Sequence, residues 1–372
     1  MINGKKVIAF ICECNPFHEG HKRLIKAAMK EGDILIAIMS GNFVQRGEPA
    51  VYNKYERAKK LLKNHVDMVI ELPVEYTLSS AKYFAMSSIM ILNKLNFVDK
   101  LIFGSKIADV DKLNEISDIN IENSNNENIK TLLKSGMSYS SAISENYNIK
   151  LSPNDILAVE YISAIKNTKS KIEPICIKRI NDIPTASEIR KNTNKKISND
   201  TFSSILSYKI KLAKNNIIDL SDIYLMTNDL YNSILKTSSL NISFNKRAKL
   251  LKTKNRTLAS IKRILLNVIL NIEKTDVEDL NKFPKYIRIL GMRESFIPYL
   301  EFIKIPYLLS LNNNSYKTFV KKYPNSNVIK KDKMNQYILS PTIINNINAT
   351  DLYNLFSNNK MTEATTKALV IN

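Results

Sequence analysis

The stretch Val7–His21, VIAFICECNPFHEGH, constrains the fold more than any other part of the chain. Val7, Ile8, Ala9, Phe10 and Ile11 form an unbroken apolar run suited to a strand covered on both faces. Asn15-Pro16 stops it, because proline has no amide hydrogen to give a sheet. A helical pattern follows from about His18. A strand that hands over to a helix in this way leaves backbone N–H donors, and the positive end of the helix dipole, at the strand's carboxyl end. There the sequence places His18, Gly20 and His21, an H-x-G-H pattern. Two imidazoles within one helical turn can donate hydrogen bonds to phosphate oxygens as charge builds on them, and Gly20 gives oxygens room to approach the backbone. The junction points to a nucleotide triphosphate.

Further along, apolar runs at Asp33–Met39, Val66–Leu72, Val98–Phe103 and Pro174–Ile180 read as strands. Helical patterns separate them at about His18–Lys30, Asn53–Asn64, Ser79–Leu95 and Asn154–Ile165. That alternation gives right-handed βαβ units and an α/β, Rossmann-like parallel sheet, whose ligand sits beyond the strands' carboxyl ends. Helices are also expected around Asn128–Leu133 and Ser138–Tyr147, and Thr185–Lys191 opens another with a Thr185/Glu188 capping box. A polar stretch near Asn192–Asp200 reads as a boundary. Amphipathic helices dominate after it, so the expected organisation is a nucleotide-binding domain over residues 1–195 and a basic, mainly helical domain over 196–372. Tyr286–Leu290 and Ile305–Leu309 read as short strands within the second part.

With 372 residues, 44% of them hydrophobic, the chain can bury a sizeable core. Val7–Ile11 is too short for the core of a signal peptide, and no run approaches the ~20 apolar residues of a membrane span. Cys12, Cys14 and Cys176 are an odd number without metal-ligand spacing, which fits a reduced cytoplasmic protein with neither structural disulfides nor a metal. The formal net charge of +20 invites a polyanionic partner. A drift toward Lys, in a chain also rich in Asn and Ile, would raise that charge without any ligand.

At the expected carboxyl edge, Ser40, Asn42 and Arg46 lie in SGNFVQRG, where Arg46 could grip a phosphate or carboxylate through its planar fork. Lys54 and Arg57 share a helix face and would either reach the same phosphates or form a solvated basic face. Glu71 suits structural pairing with a basic neighbour or contact with ribose. Gly104 gives backbone room after a strand, Asn154 offers an amide for adenine or a helix cap, and Ser187, Arg179 and Arg190 are phosphate candidates. For nucleic acid, the strongest footprint is the basic run from Lys246 to Arg263, in particular Lys252, Lys254, Arg256, Lys262 and Arg263. Tyr286 and Arg288 could add stacking or a phosphate contact.

Taken in order, NPFHEGH, SGNFVQRGEPA, VIELP, FGS, SPNDILAVEY, KRI and TASEIR resemble the bacterial tRNA(Met) cytidine acetate ligases, within the H-x-G-H nucleotidyltransferases. The likeness is strong over roughly residues 5–195 and looser through KNRTLASIKRILL and YIRILGM. It implies a ligase that uses ATP as substrate, with the need for Mg²⁺ left open. Acetate attacks the α-phosphate to give acetyl-adenylate and pyrophosphate, and the acetyl group then passes to N4 of the wobble cytidine of elongator tRNA(Met). It also implies catalytic roles for His18 and His21. By the same likeness ATP binds at Ile11, Cys12, Glu13, Cys14, Asn15, Pro16, Phe17, His18, Glu19, Gly20 and His21, and at Gly104, Asn154 and Arg179.

The sequence departs from the family's usual residues at Cys14 (Tyr), Glu19 (Asn) and Lys106 (Glu). Glu19 must turn outward or meet a metal, since it would otherwise repel phosphates. Two other readings are a small-molecule adenylyltransferase of the same fold and a catalytically silent RNA-binding homologue. The oligomeric state is not fixed by sequence.

Overall fold

The opening junction folds as a strand, β1 (Val7–Cys12), and a helix, α1 (Glu19–Glu31), in a computed structural model that describes residues 1–122, 131, 145, 151–179, 186–191, 200–277, 283–357 and 361–372. The apolar run is continuous because both faces of β1 are covered. Val7 and Ala9 join one core cluster with Ile36, Phe84 and Ile162, and Ile8 and Phe10 join another with Leu35, Tyr55 and Leu61. Apart from Thr131 and Glu145, the helices expected at Asn128–Leu133 and Ser138–Tyr147 lie outside the described residues, as does the Thr185 cap.

Strands β2 (Ile34–Ser40), β5 (Met68–Leu72), β6 (Lys100–Ser105) and β7 (Glu173–Lys178) run parallel to β1, with β1 beside β2 and β6. A two-stranded hairpin, β3 (Phe43–Val44) and β4 (Glu48–Pro49), follows β2, and helix α2 (Lys54–Leu62) returns to β5. Beyond β5, the short helix α3 (Val74–Thr77) precedes α4 (Ala81–Leu95). Helix α5 (Val110–Glu122) follows β6, and α6 (Pro153–Asn167) precedes β7. Each residue of β2 and β5 is buried, as expected of central strands in a doubly covered parallel sheet.

The sheet does not end with residue 195. β8 (Ile287–Arg293) pairs antiparallel with β5, and β9 (Tyr307–Leu308) and β12 (Leu369–Ile371) pair parallel with β8. The order is β12-β8-β5-β2-β1-β6-β7, with β9 beside the start of β8. The second half is therefore not purely helical, and its strands complete the sheet of the first. Register aligns Cys12, Met39, Glu71, Arg288 and Leu308 in one row across five strands. The row lies at the carboxyl edge of the parallel set, so β8 begins and β9 lies at the same edge as the histidine motif.

Between these strands, helices α7 (Ala186–Lys191), α8 (Asp200–Lys214), α9 (Asn228–Leu235), α10 (Phe244–Leu250) and α11 (Leu258–Leu270) lead to β8. Helices α8, α10 and α11 share a core of Phe202, Leu206, Ala248 and Leu265. Helix α12 (Asn313–Lys322), the hairpin β10 (Ile329–Lys331) and β11 (Tyr337–Leu339), and the start of α13 (Pro341–Ser357) form a smaller cluster around Tyr316, Phe319, Ile329 and Ile343.

Candidate active site

Between β1 and α1 the backbone turns sharply. Cys14 takes a positive φ of 48°, and Asn15-Pro16 is cis. Three contacts hold the turn. The Asn15 side-chain oxygen accepts from Val51 N–H at 2.8 Å, Arg190 Nη1 donates to the Asn15 carbonyl at 2.7 Å, and Arg57 Nη1 donates to the Glu13 carbonyl at 2.6 Å.

The two histidines then form a reciprocal cap. His18 Nδ1 accepts from Gly20 N–H at 3.0 Å, and His21 Nδ1 accepts from His18 N–H at 3.2 Å. A neutral imidazole that accepts at Nδ1 carries its proton on Nε2. Gly20 is required here, because a Cβ would lie 2.7 Å from His18 Cε1. The rings sit 4.1 Å apart, and His21 stacks on Phe17. Burial first, and then the charges of His21, Arg179 and Arg190, lower the His18 pKa to about 4. His18 is neutral at pH 7 and its surroundings are cationic.

Amides expected to be bare are thus partly engaged, since Gly20 N–H bonds His18 Nδ1 and His21 N–H bonds the His18 carbonyl at 2.9 Å. The donor capacity is relayed through the rings, for an N–H bonded at Nδ1 polarises the ring and strengthens its Nε2–H as a donor. Glu19 is exposed and paired with Lys22 at 3.2 Å, so it turns away from the histidines.

The neighbouring strand ends complete the edge. The Arg179 stem crosses Gly104, where a Cβ would meet Arg179 Cγ at 3.2 Å, so the room at Gly104 is used by the arginine. Asp155, which the sequence reading missed, organises the loop after β6. It accepts from Ser105 Oγ at 2.5 Å, Lys106 N–H at 2.8 Å and Ser152 N–H at 2.9 Å. Burial would raise its pKa, but the Ser105 and Ser152 hydrogen bonds outweigh it and the net shift is downward. Ser152 supplies the cap of α6, so the Asn154 amide is not spent on that task. Lys106 is exposed, and its backbone rather than its charge is held. The side chain of Ser187 lies outside the described residues.

Four candidates prove internal. Arg57 is fully buried and donates to the carbonyls of Glu13, Ser40, Gly41 and Tyr52, tying β1 to β2, so it cannot also reach a phosphate. Ser40 is buried beneath it. Asn42 accepts from Lys54 N–H at 2.9 Å and donates to Thr350 Oγ1 at 3.1 Å, a purely structural use. Lys54 is 1% exposed and bonds Glu71 at 2.7 Å as well as Glu363. Glu363 also accepts from Tyr55 and Thr350 and faces Arg288 at 3.6 Å. Lys54 and Arg288 outweigh burial to hold its pKa at about 2, whereas burial pushes Glu71 upward. Nothing in the polar tail around Glu363 announces this role in the sequence.

Arg46 is different. It is exposed at the tip of the β3–β4 hairpin, and its charge acts on Glu13 and Arg190. The hairpin is fastened on both sides. Gln45 N–H donates to Glu13 Oε1 at 2.7 Å, Arg263 Nη1 donates to the Gln45 carbonyl at 3.0 Å, and Lys262 Nζ reaches Glu48 at 2.6 Å. Lys262 and Arg263, expected on an RNA-facing surface, are buried and serve this hairpin instead. Arg247 is likewise buried, on the Thr237 and Leu240 carbonyls. Tyr286 and Arg288 lie in the core, which removes them as stacking or phosphate groups. Lys252 and Lys254 remain exposed, and Arg256 donates to Thr227 Oγ1 at 2.6 Å.

Cys12 and Cys14 are buried, so neither thiol is presented to a substrate. Burial raises Cys12 well above the ordinary thiol range. At Cys14 it is outweighed by Cys12, His21 and Arg57, which lower its pKa.

A parallel-dominated sheet with a histidine-capped helix and converging arginines at its carboxyl edge defines a nucleotidyltransferase of the H-x-G-H class. The model of the HIGH Nucleotidyl Transferase family matches residues 5–193 and 181–368. A tRNA(Met) cytidine acetate ligase of Thermoanaerobacter sp. (strain X514) is 33% identical, over 88% of this chain and 92% of that protein. The protein of the same name from Fusobacterium nucleatum subsp. nucleatum is 35% identical, over 81% and 85%. The crystal structure of Thermotoga maritima TmcAL bound with alpha-thio ATP superposes with a TM-score of 0.82 at 26% identity, covering 98% of this chain and 99% of that one. The chain belongs to the HIGH nucleotidyl transferase family, among its tRNA(Met) cytidine acetate ligases.

Proposed function

We propose that this protein is an ATP-dependent ligase that activates acetate as acetyl-adenylate and transfers the acetyl group to N4 of the wobble cytidine of elongator tRNA(Met). The observation that carries the reading is the reciprocal His18–His21 cap, with Arg179 and Arg190 beside it, at the carboxyl edge of the sheet. An acetate oxygen bonds to the α-phosphorus as the bond to the pyrophosphate oxygen breaks. Negative charge grows on the α-phosphate and on the leaving pyrophosphate, where Nε2–H donors and guanidinium groups stabilise it. The cytidine amine then bonds to the acetyl carbon, AMP leaves with the activating oxygen, and the amine gives up a proton.

Neither step needs a covalent enzyme intermediate, which agrees with the burial of both motif cysteines. Asn154 and the edge around Gly104 suit the adenosine end, and Arg46 stands at the mouth as an anion contact. Among the described residues no three His, Cys, Asp or Glu side chains gather to hold a metal. A Mg²⁺ ion entering with ATP would be held by triphosphate oxygens and water, and would supply charge neutralisation there. Among the described residues no helix is long and apolar enough to cross a membrane. A reduced cytoplasmic setting fits three free cysteines.

The test is acetate-dependent exchange of labelled pyrophosphate into ATP, followed by acetylation of a tRNA(Met) transcript. Exchange and acetylated cytidine are expected together. Exchange that needs a different small-molecule substrate in place of acetate supports the adenylyltransferase alternative, and RNA binding without exchange supports the silent homologue.

A further inference from the structure

Within the expected nucleic-acid surface Arg247, Lys262 and Arg263 are buried, which thins it to Lys246, Lys249, Lys252 and Lys254, and a second cationic stretch lies elsewhere in the chain. Residues 304–337 contain seven lysines and a single acid, Asp332. All seven, Lys304, Lys317, Lys321, Lys322, Lys330, Lys331 and Lys333, are exposed. Aromatic rings are interleaved with them. Lys322 Nζ lies 4.5 Å from the Tyr307 ring centroid and 5.2 Å from that of Tyr323, and Lys331 Nζ lies 5.4 Å from that of Tyr337. Tyr323 also lines an open groove of about 550 Å³ with Pro306, Pro324, Lys285, Asn325, Ser326 and Asn327, in which apolar ring and proline surface is edged by amide, hydroxyl and cationic groups.

The segment also lies at the carboxyl edge of the sheet. In the row Cys12–Met39–Glu71–Arg288–Leu308, Tyr307 and Leu308 are four strand spacings from the histidine turn and on the same edge of the sheet. At ~4.8 Å per spacing the separation is about 20 Å. A hairpin RNA that offers a loop base to the acetyl-adenylate extends its stem over distances of this order. Phosphate contact requires exposed cations, and stacking requires accessible ring faces. The segment supplies the exposed cations, and its half-buried Tyr307, Tyr323 and Tyr337 rings, each beneath a lysine ammonium, are part of that cationic surface.

We propose that the Tyr307–Tyr337 face, centred on Lys322 and Tyr323, is the surface that receives the backbone of the RNA whose loop enters the histidine site. This inference rests on the ligase reading for the identity of that RNA. Its test uses the full-length protein with the substitutions Lys321→Glu, Lys322→Glu and Lys331→Glu combined, and separately Tyr323→Ala. The tRNA(Met) transcript is titrated across a series of salt concentrations, and acetate-dependent pyrophosphate exchange is measured without RNA.

The expected result is a tenfold or greater loss of RNA affinity in the triple variant. The slope of log affinity against log salt should be shallower by about 2–3, with exchange within twofold of the parent. Tyr323→Ala should weaken RNA severalfold at an unchanged slope. RNA affinity within twofold of the parent in both variants would overturn the proposal, especially if Lys252→Glu with Lys254→Glu abolishes binding instead. Loss of exchange together with RNA binding would overturn it as well, since the face would then be inseparable from the ATP site. If the parent binds RNA through this face but shows no exchange, the surface stands and the ligase reading falls.

Discussion

At His18 one imidazole serves the backbone through Nδ1 and keeps its proton on Nε2, so helix capping and the phosphate donation proposed for this ring call for the same tautomer. His18→Ala should lower acetate-dependent exchange by about 10²–10³-fold, the usual scale for losing an oxyanion donor, while tRNA affinity stays within twofold. Gly20→Ala should act through the ring. A Cβ 2.7 Å from His18 Cε1 forces the imidazole away, and exchange should fall at least tenfold with the fold intact by circular dichroism. The pH dependence carries a definite sign. Unfolded, His18 takes a proton near 6.5; folded and ligand-free, it does so only near 4. Its contribution to stability is therefore complete above pH 6.5 and declines as pH falls toward 4. Ring titration by NMR should give a midpoint close to 4, and a midpoint at or above 6.5 would contradict the buried, cation-flanked placement. This geometry was partly legible in the sequence. H-x-G-H after a buried strand located the histidines, but the need for Gly20 beneath the His18 ring became visible only in three dimensions.

Among the elements, the β3–β4 hairpin and the β5–β8 pairing connect the two halves of the chain. Alternating apolar runs announced β1, β2, β5, β6 and β7, because a doubly covered strand must be apolar throughout. The antiparallel insertion of β8 was not announced. YIRIL read as a strand, but a strand's own residues do not name its partner, and β5 precedes it by more than 200 residues. Lys54 and Arg57 were misplaced for a related reason: a helix face with two cations looks solvated until Glu363 and the strand-end carbonyls are folded against it. Lys54→Met leaves Glu71 and Glu363 buried without their shared cation, and should destabilise the fold by about 3–5 kcal/mol in urea unfolding. Gly47→Ala should loosen the hairpin, since Gly47 holds φ at +71° and a Cβ would lie 2.7 Å from Arg263 N. Exchange should fall while the midpoint of urea unfolding moves only slightly.

Seen as a whole, the molecule sets the histidine turn at one carboxyl edge and uses strands from its second half to widen that edge. The formal charge of +20 gave no address for a polyanion, because some of the basic groups are internal, Arg57, Arg247 and Arg263 among them. The decisive measurement follows the oxygen of acetate. With tRNA(Met), ATP and acetate labelled with heavy oxygen, attack on the α-phosphate leaves one label on AMP while acetylcytidine forms. Labelled AMP, lost together with acetylcytidine in His18→Ala, is the predicted result. Acetylated tRNA accompanied by unlabelled AMP, or by ADP and phosphate, would contradict it.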